Sequence, residues 1–468
     1  MATPRPVIMV SLLITSSLLG DQALYVMLPV AYTSLGLTPI SVGLLLSMNR
    51  WVRLLTNVAA AWVLGSRPIR NVFCAVLVAG SCCSLAYAAT TNLALLLLAR
   101  GVWGSCWSII RLAGLVTLTD VCEAGMASEA HLGRLSGVHS GLSRIGSVLG
   151  LGLGGIGLDL LGFKAFFAVV GILSLAIAPL ALSCAFGDLP KYSHTAVHRL
   201  EQIENERQSR AEKSSCKQLP ICEGALARCA SMSAAEWRLW FLAFASTCAG
   251  QGMVMSTLGV LLASGGSQYV NLGVFGEAIP LASASGFILA LRWVFEIGAA
   301  PLFGRLIDAV GQAIVCPAFF ALCALNGGVG FLMLRQLEQA AELDAATASA
   351  LPLVISVLCF FVVVSGADLS VNAQGVAQRQ TTVLVIGGDL GAAVGPMLGY
   401  AILQLQMPPS FILLTQALLH AAAACVGCWA TTNTSTSRGG RQRLGDGDTV
   451  TDTSSNRELP EAEEDPEL

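Results

Sequence analysis

Apolar runs of about twenty residues or more recur along almost the whole chain, and few sequence features leave a polypeptide so little choice of fold. A helix needs about 20 mostly apolar residues to cross roughly 30 Å of hydrocarbon. A backbone in that medium must also satisfy its own hydrogen bonds, as a helix or a closed barrel. The runs show no ten-residue strand alternation, so helices are expected, at 7–34, 40–65, 71–90, 93–119, 138–161, 164–187, 238–263, 280–303, 313–334, 350–375, 381–403 and 409–430. The first run has no small-residue cleavage site before a polar segment, and it reads as a retained span rather than a signal peptide.

Charge marks the divisions between these runs. The 468 residues are 54% hydrophobic and 12% charged, against about 25% charged in soluble domains. Of the 55 Lys, Arg, Asp and Glu, 28 fall in residues 188–238 and 432–468. The expected organisation is an N-terminal six-helix bundle (1–187), a cytoplasmic central loop (188–237), a C-terminal six-helix bundle (238–431) and a disordered acidic tail (432–468). The fold class is therefore an all-α membrane protein of twelve transmembrane helices in two pseudo-symmetric bundles. In the central loop, residues 196–217 could form a surface helix.

Several functions are disfavoured by what the sequence lacks. With a net charge of −3, no basic field suited to a phosphate backbone appears, and nucleic acid is not expected as a partner. Nine of the fifteen cysteines, Cys74, Cys82, Cys83, Cys106, Cys248, Cys323, Cys359, Cys425 and Cys428, sit inside apolar runs and read as small buried hydrophobes. Their spacing matches no zinc site, and neither metal nor cofactor is expected. The sequence holds no H-E-x-x-H or G-x-S-x-G constellation and no Walker A loop, which argues against an enzyme and against ATP drive. Gly152 to Gly157 spells G-x-G-x-x-G, but no strand precedes it. Small residues at Gly146, Gly150 and Gly154 instead suit close helix approach and sliding at a rocking interface.

Orientation follows from Lys and Arg in the connections, because cytoplasmic loops carry the excess. With the N-terminus inside, the inner side holds 18 of these residues and the outer side two, Lys164 and Arg335. Both termini should be cytoplasmic, in the plasma membrane or an organelle membrane, with a single chain sufficing.

The halves echo each other. Arg50 and Trp51 in the second span match Arg292 and Trp293 in the eighth; Arg144, Gly146 and Gly150 in the fifth match Asp389, Gly391 and Gly395 in the eleventh; Gly20 and Asp21 match Gly250 and Gln251. Internal repeats of this kind typify transporters. At Pro301-Leu-Phe-Gly304-Arg-Leu-Ile-Asp308-Ala-Val-Gly311 the chain resembles the major facilitator superfamily, whose loop motif G-x-x-x-D-x-x-G joins spans eight and nine. Arg100 followed by Gly101 and Gly104 resembles the superfamily's span-four motif, and the glycine runs 146–157 and 387–399 resemble its fifth and eleventh helices. The resemblance implies a secondary transporter. It assigns a cytoplasmic gating role to Gly304, Asp308 and Gly311, which are read as a short inner loop. The first-half copy departs from the motif, with Ala61 and Gly65 where glycine and aspartate are expected.

A charged side chain at the bilayer centre costs at least about 2.5 to 3.5 kcal/mol, so each needs a partner, a wet cavity or a task. Asp21, Arg50, Arg53 and Arg111 fall near the midplane by helical rise. Asp21 is expected to pair with Arg111, or with Arg100 nearer the outer surface, either as a coupling pair or as a structural one. Gln251 holds the repeat-equivalent place of Asp21. Arg292 and Glu296 stand at i, i+4, a spacing that permits an ion pair, while Asp368 and Asp389 lie nearer the cytoplasm. The excess of arginine leans slightly toward an anionic or zwitterionic solute. Trp51, Trp103, Trp107 and Trp293 line the pathway or pack against lipid and helices. The expected function is secondary active transport of a small solute by alternating access, with protons or another gradient as the drive. The alternative is a sensor or scaffold on a transporter fold.

Overall fold

The computed structural model describes residues 3–123, 132–180, 232–264, 269–271, 278–342, 349–378 and 380–442. The helices are α1 (Arg5–Ala31), α2 (Pro39–Ser66), α3 (Ile69–Ala89), α4 (Leu93–Glu123), α5 (Leu132–Ile177), α6 (Ala234–Thr247), α7 (Met255–Ala263), α8 (Leu281–Val310), α9 (Gln312–Glu342), α10 (Leu351–Ala377), α11 (Thr381–Gln404) and α12 (Ser410–Gln442). A π-helical segment, Cys248–Val254, joins α6 to α7. Two short antiparallel strands, β1 (Tyr269–Asn271) and β2 (Ala278–Pro280), pair Tyr269 with Pro280 between α7 and α8.

Twelve crossings follow from these elements. α5 holds 46 residues, and its backbone leaves helical geometry at Gly162, φ 78° and ψ 168°. A straight helix of that length would run to roughly 70 Å, more than twice the hydrocarbon thickness. Phe166 packs against Gly157 across the break, so the chain folds back there and α5 supplies the fifth and sixth spans. The seventh is α6, the π segment and α7 in series. Among the described residues, ten helical stretches are long and apolar enough to cross a membrane, α5 counting once and α6 to α7 as one. The remaining span is α2, whose hydropathy is lowered by Arg50 and Arg53.

Local chemistry sets the helix ends. Thr38 caps α2 by accepting from Ser41 N, with Pro39 at the first turn, where its missing N–H is not needed. Ser233 and Glu236 form a reciprocal capping box at the start of α6. α8 stops at Gly311, whose φ of 94° suits glycine. α9 extends to Glu342 and α12 to Gln442, past the expected ends at 334 and 430, because intrahelical hydrogen bonding does not stop where apolar side chains do. Residues 188–231 of the central loop and 443–468 of the tail lie outside the described residues.

Glycine stripes pack each half in the same way. Gly146, Gly150 and Gly154 of α5 sit against the backbones of Thr15, Leu19 and Ala23 in α1. Gly387, Gly391 and Gly395 of α11 sit against those of Trp240, Phe244 and Cys248, reproducing the four-residue steps on both partners. The stripe thus cements one half internally, contrary to the expected rocking interface; its neighbours Gly152 and Gly155 face the other half, toward Ala290 and Ala282. Large apolar side chains such as Leu55, Trp62, Leu160, Leu325 and Leu418 are exposed, as a lipid-facing surface requires. The cysteines divide: Cys83, Cys106, Cys248 and Cys323 are buried as expected, whereas Cys82, Cys359, Cys425 and Cys428 are exposed, on helix faces that an apolar run alone does not distinguish.

Candidate functional site

The two groups of helices, α1 to α5 and α6 to α12, meet closely at one end. There Gly43 of α2 abuts Pro396, Met397 and Tyr400 of α11, and Ile40 N donates to Gln404 Oε1 at 3.5 Å. Ser283 of α8 donates through its N at 3.0 Å and its Oγ at 2.5 Å to Asp159 of α5, and Gly259 of α7 packs on Pro29 and Val30 of α1. All these contacts lie at the helix ends away from the turns at 66–69 and Gly311.

Below this seal lies a cavity of about 450 Å³, lined by Asp21, Gln22 and Tyr25 of α1, Asn49, Arg50 and Arg53 of α2, Trp107 and Arg111 of α4, His139, Ser143, Arg144 and Ser147 of α5, and Gln251, Met255 and Trp293 from the second half. Its size is within the usual 300 to 1,000 Å³ of small-molecule sites. Gln251 lies in the π-helical segment, an irregularity that recurs at functional positions.

Four arginines reach the lining, and three belong to bridges between the halves. Arg53 Nη2 lies 3.0 Å from Asp389 Oδ1. Arg50 Nη1 is 3.5 Å from the same oxygen and Arg50 Nη2 donates to Gln251 Oε1 at 3.4 Å. Arg144 Nη2 is 3.2 Å from Glu296 Oε1, and its guanidinium lies 4.2 Å from the Trp293 ring centroid. Arg111 is exposed in the cavity and forms no ion pair among the described residues. His139 Nδ1 hydrogen-bonds Ser11 Oγ at 2.9 Å.

Asp21 pairs with Arg100, not Arg111. Arg100 is fully buried; its Nε donates to Leu45 O at 3.2 Å and its guanidinium lies 5.4 Å from the Tyr25 ring centroid. A neutralised guanidinium tolerates burial that a lone one would not. Glu296 turns to Arg144 rather than to Arg292 on its own helix. Arg292 is buried against Met255 Sδ at 3.0 Å and near the Trp293 and Phe361 rings, at 4.9 and 5.2 Å; cation–π contact replaces the expected intrahelical pair.

Gly304 and Asp308 lie in the last turns of α8, and Gly311 alone forms the break before α9, so the expected inner loop shrinks to one residue. Asp308 is exposed and makes no ion pair among the described residues. Trp107 and Trp293 line the cavity, while Trp103 is buried against Gly80 and Trp51 is absent from the lining. Sequence reasoning left Asp389, Arg144, Asn49, Gln22, Tyr25 and His139 out of the site. A signal for two of them existed: Arg144 and Asp389 are repeat-equivalent positions, and both bridge the halves.

The sequence profile of the Major Facilitator Superfamily matches residues 10–396, and the chain belongs to that superfamily. No curated protein sequence matches the chain. Among solved structures it is similar to the nucleoside transporter NupG, at 12% identity and a TM-score of 0.65 over 91% of this chain and 98% of that one. It is also similar to a bacterial homologue of the human lysosomal transporter Spinster, solved in an inward-facing and occupied conformation, at 14% identity and a TM-score of 0.64 over 91% and 96%. A peptide transporter POT shares 14% identity and a TM-score of 0.63 over 92% and 95%. At these identities the likeness shows the fold alone, while the family match and the succession of long apolar helices make the chain a multi-pass membrane protein.

Proposed function

We propose that the chain is a secondary active transporter that moves a small anionic or zwitterionic solute by alternating access. The observation that carries this is the cavity itself: two pseudo-symmetric halves sealed at one end, parted at the other, with polar and charged groups gathered between them at membrane depth. Such groups are costly in hydrocarbon and belong where water or a solute meets them. The lean in substrate charge rests on the lining. Arg50, Arg53, Arg111 and Arg144 outnumber the lining carboxylate, Asp21, and planar guanidinium suits carboxylate and phosphate. Gln22 Oε1 and Asn49 Oδ1 are buried acceptors without a partner among the described residues, and they suit an N–H or O–H on the same solute.

On the Lys and Arg count, the open end faces the cytoplasm and both termini lie there, with the protein acting as a monomer. Proton or other gradient coupling falls to Asp21, which borders the cavity while its partner Arg100 is sealed in the core. The latch assigned to Asp308 acts only when the parted ends close. The test is a thermal-shift screen of organic acids and amino acids on purified protein, followed by flux of each hit into liposomes with and without a pH gradient. Saturable uptake of a hit is expected. A folded protein that binds a hit tightly and moves none would support the sensor or scaffold reading.

A further inference from the structure

The bridge between Asp389 and the pair Arg50 and Arg53 has the composition of an occupied anion site: two guanidinium groups from one half around one carboxylate. Arg53 lies 3.0 Å from Asp389 Oδ1 and 3.4 Å from Oδ2, and Arg50 3.5 Å from Oδ1, so a single carboxylate is shared between two charge-assisted partners. Both arginines line the cavity, whereas Asp389 is not among its lining residues and is itself buried. An independent observation points to a ligand here. Arg53 Nε, Trp293 Nε1 and Ser143 Oγ are buried around the same cavity without a partner among the described residues, and Arg53 is only 4% exposed. A buried donor left unpaired is expensive, so the wall holds more donors than Asp389 satisfies.

We propose that Asp389 is an internal stand-in for the acidic group of the transported solute: the incoming carboxylate or phosphate takes over Arg50 and Arg53, and in displacing Asp389 it unfastens α11 from α2. This rests on the transporter reading and adds to it the residue that links binding to movement. The bridge joins the same two helices as the contact of Gly43 with Pro396 and Tyr400, so losing it removes one of the ties between them. The solute's negative charge replaces the aspartate's at the arginines, and the freed carboxylate turns into the wet cavity.

Purified full-length protein titrated with sodium acetate, or with inorganic phosphate, at ionic strength fixed by sodium chloride provides the test. With Asp389→Ala the emptied site should bind acetate at least tenfold more tightly than the wild type does, read as a saturable rise in Tm and a change in tryptophan fluorescence from Trp107 and Trp293. Asp389→Asn, which keeps the side-chain shape, should show the same ordering, and Arg53→Gln added to either should abolish it. Spin labels at positions 40 and 404, on opposite halves at the sealed end, should shift to longer separations in Asp389→Asn. Failure of both Asp389 variants to distinguish acetate from chloride overturns the proposal, as does an unchanged distance distribution. A protein that passes both tests but moves no solute in liposomes instead refutes the transporter reading and leaves the anion site standing.

Discussion

Among the described residues, ion pairs bridge the halves at two carboxylates, Glu296 and Asp389, and the two bridges are near mirror images. Arg144 of α5 reaches Glu296 of α8, while its repeat equivalent, Asp389 of α11, reaches Arg53 of α2 with the signs of charge reversed. Their surroundings differ: side-chain exposure is 34% and 26% for Arg144 and Glu296, but 4% and 7% for Arg53 and Asp389. An exposed pair is worth about 0 to 1 kcal/mol, whereas breaking a buried one costs several because a charge is left stranded. One topology thus yields a weak tie and a strong one, the strong one being more buried and holding a second arginine, Arg50, on the same carboxylate.

The comparison extends to the pair of Arg100 with Asp21, whose arginine is 0% exposed, and its outcomes can be ranked. Asp21→Asn should lower stability most, by about 3 to 5 kcal/mol, measured by denaturant unfolding in detergent. A second substitution, Arg100→Gln, should restore most of this loss and Arg111→Gln none of it. Rescue by Arg111→Gln instead would show that the pairing differs from the one seen here.

Arg53→Met should come next, at about 1.5 to 3 kcal/mol, the usual worth of hydrogen bonds to charged groups, because Arg50 still neutralises Asp389 from a half-buried position. Glu296→Gln should cost no more than about 1 kcal/mol, and added salt should mask it. Equal losses for Arg53→Met and Glu296→Gln, read as Tm in one detergent, would show that burial does not set the difference between the bridges. The smallest effect is expected for Asp308→Ala: an exposed residue without an ion pair should change stability by less than about 0.5 kcal/mol, so any defect in flux would report gating rather than folding.

The sequence by itself determined the spans, their division into two halves and the equivalence of Arg144 with Asp389 and of Asp21 with Gln251. These are legible because crossing a bilayer is a matter of local length and apolarity, and because a repeat is visible in one dimension. It also placed Asp21, Arg50, Arg53 and Arg111 at a common depth, since helical rise converts residue number to height. Only the tertiary structure decided which charges meet. The i, i+4 spacing of Arg292 and Glu296 permits a pair, but Glu296 finds Arg144 on a neighbouring helix and Arg292 finds Met255 and two aromatic rings. Helical rise put Arg111 at the depth of Asp21 and Arg100 nearer the outer surface, yet the packing of α1 on α4 pairs Asp21 with Arg100. Periodicity fixes which face a residue occupies within its own helix; the partner across that face is set by how the helices are rotated and paired, which no single segment encodes.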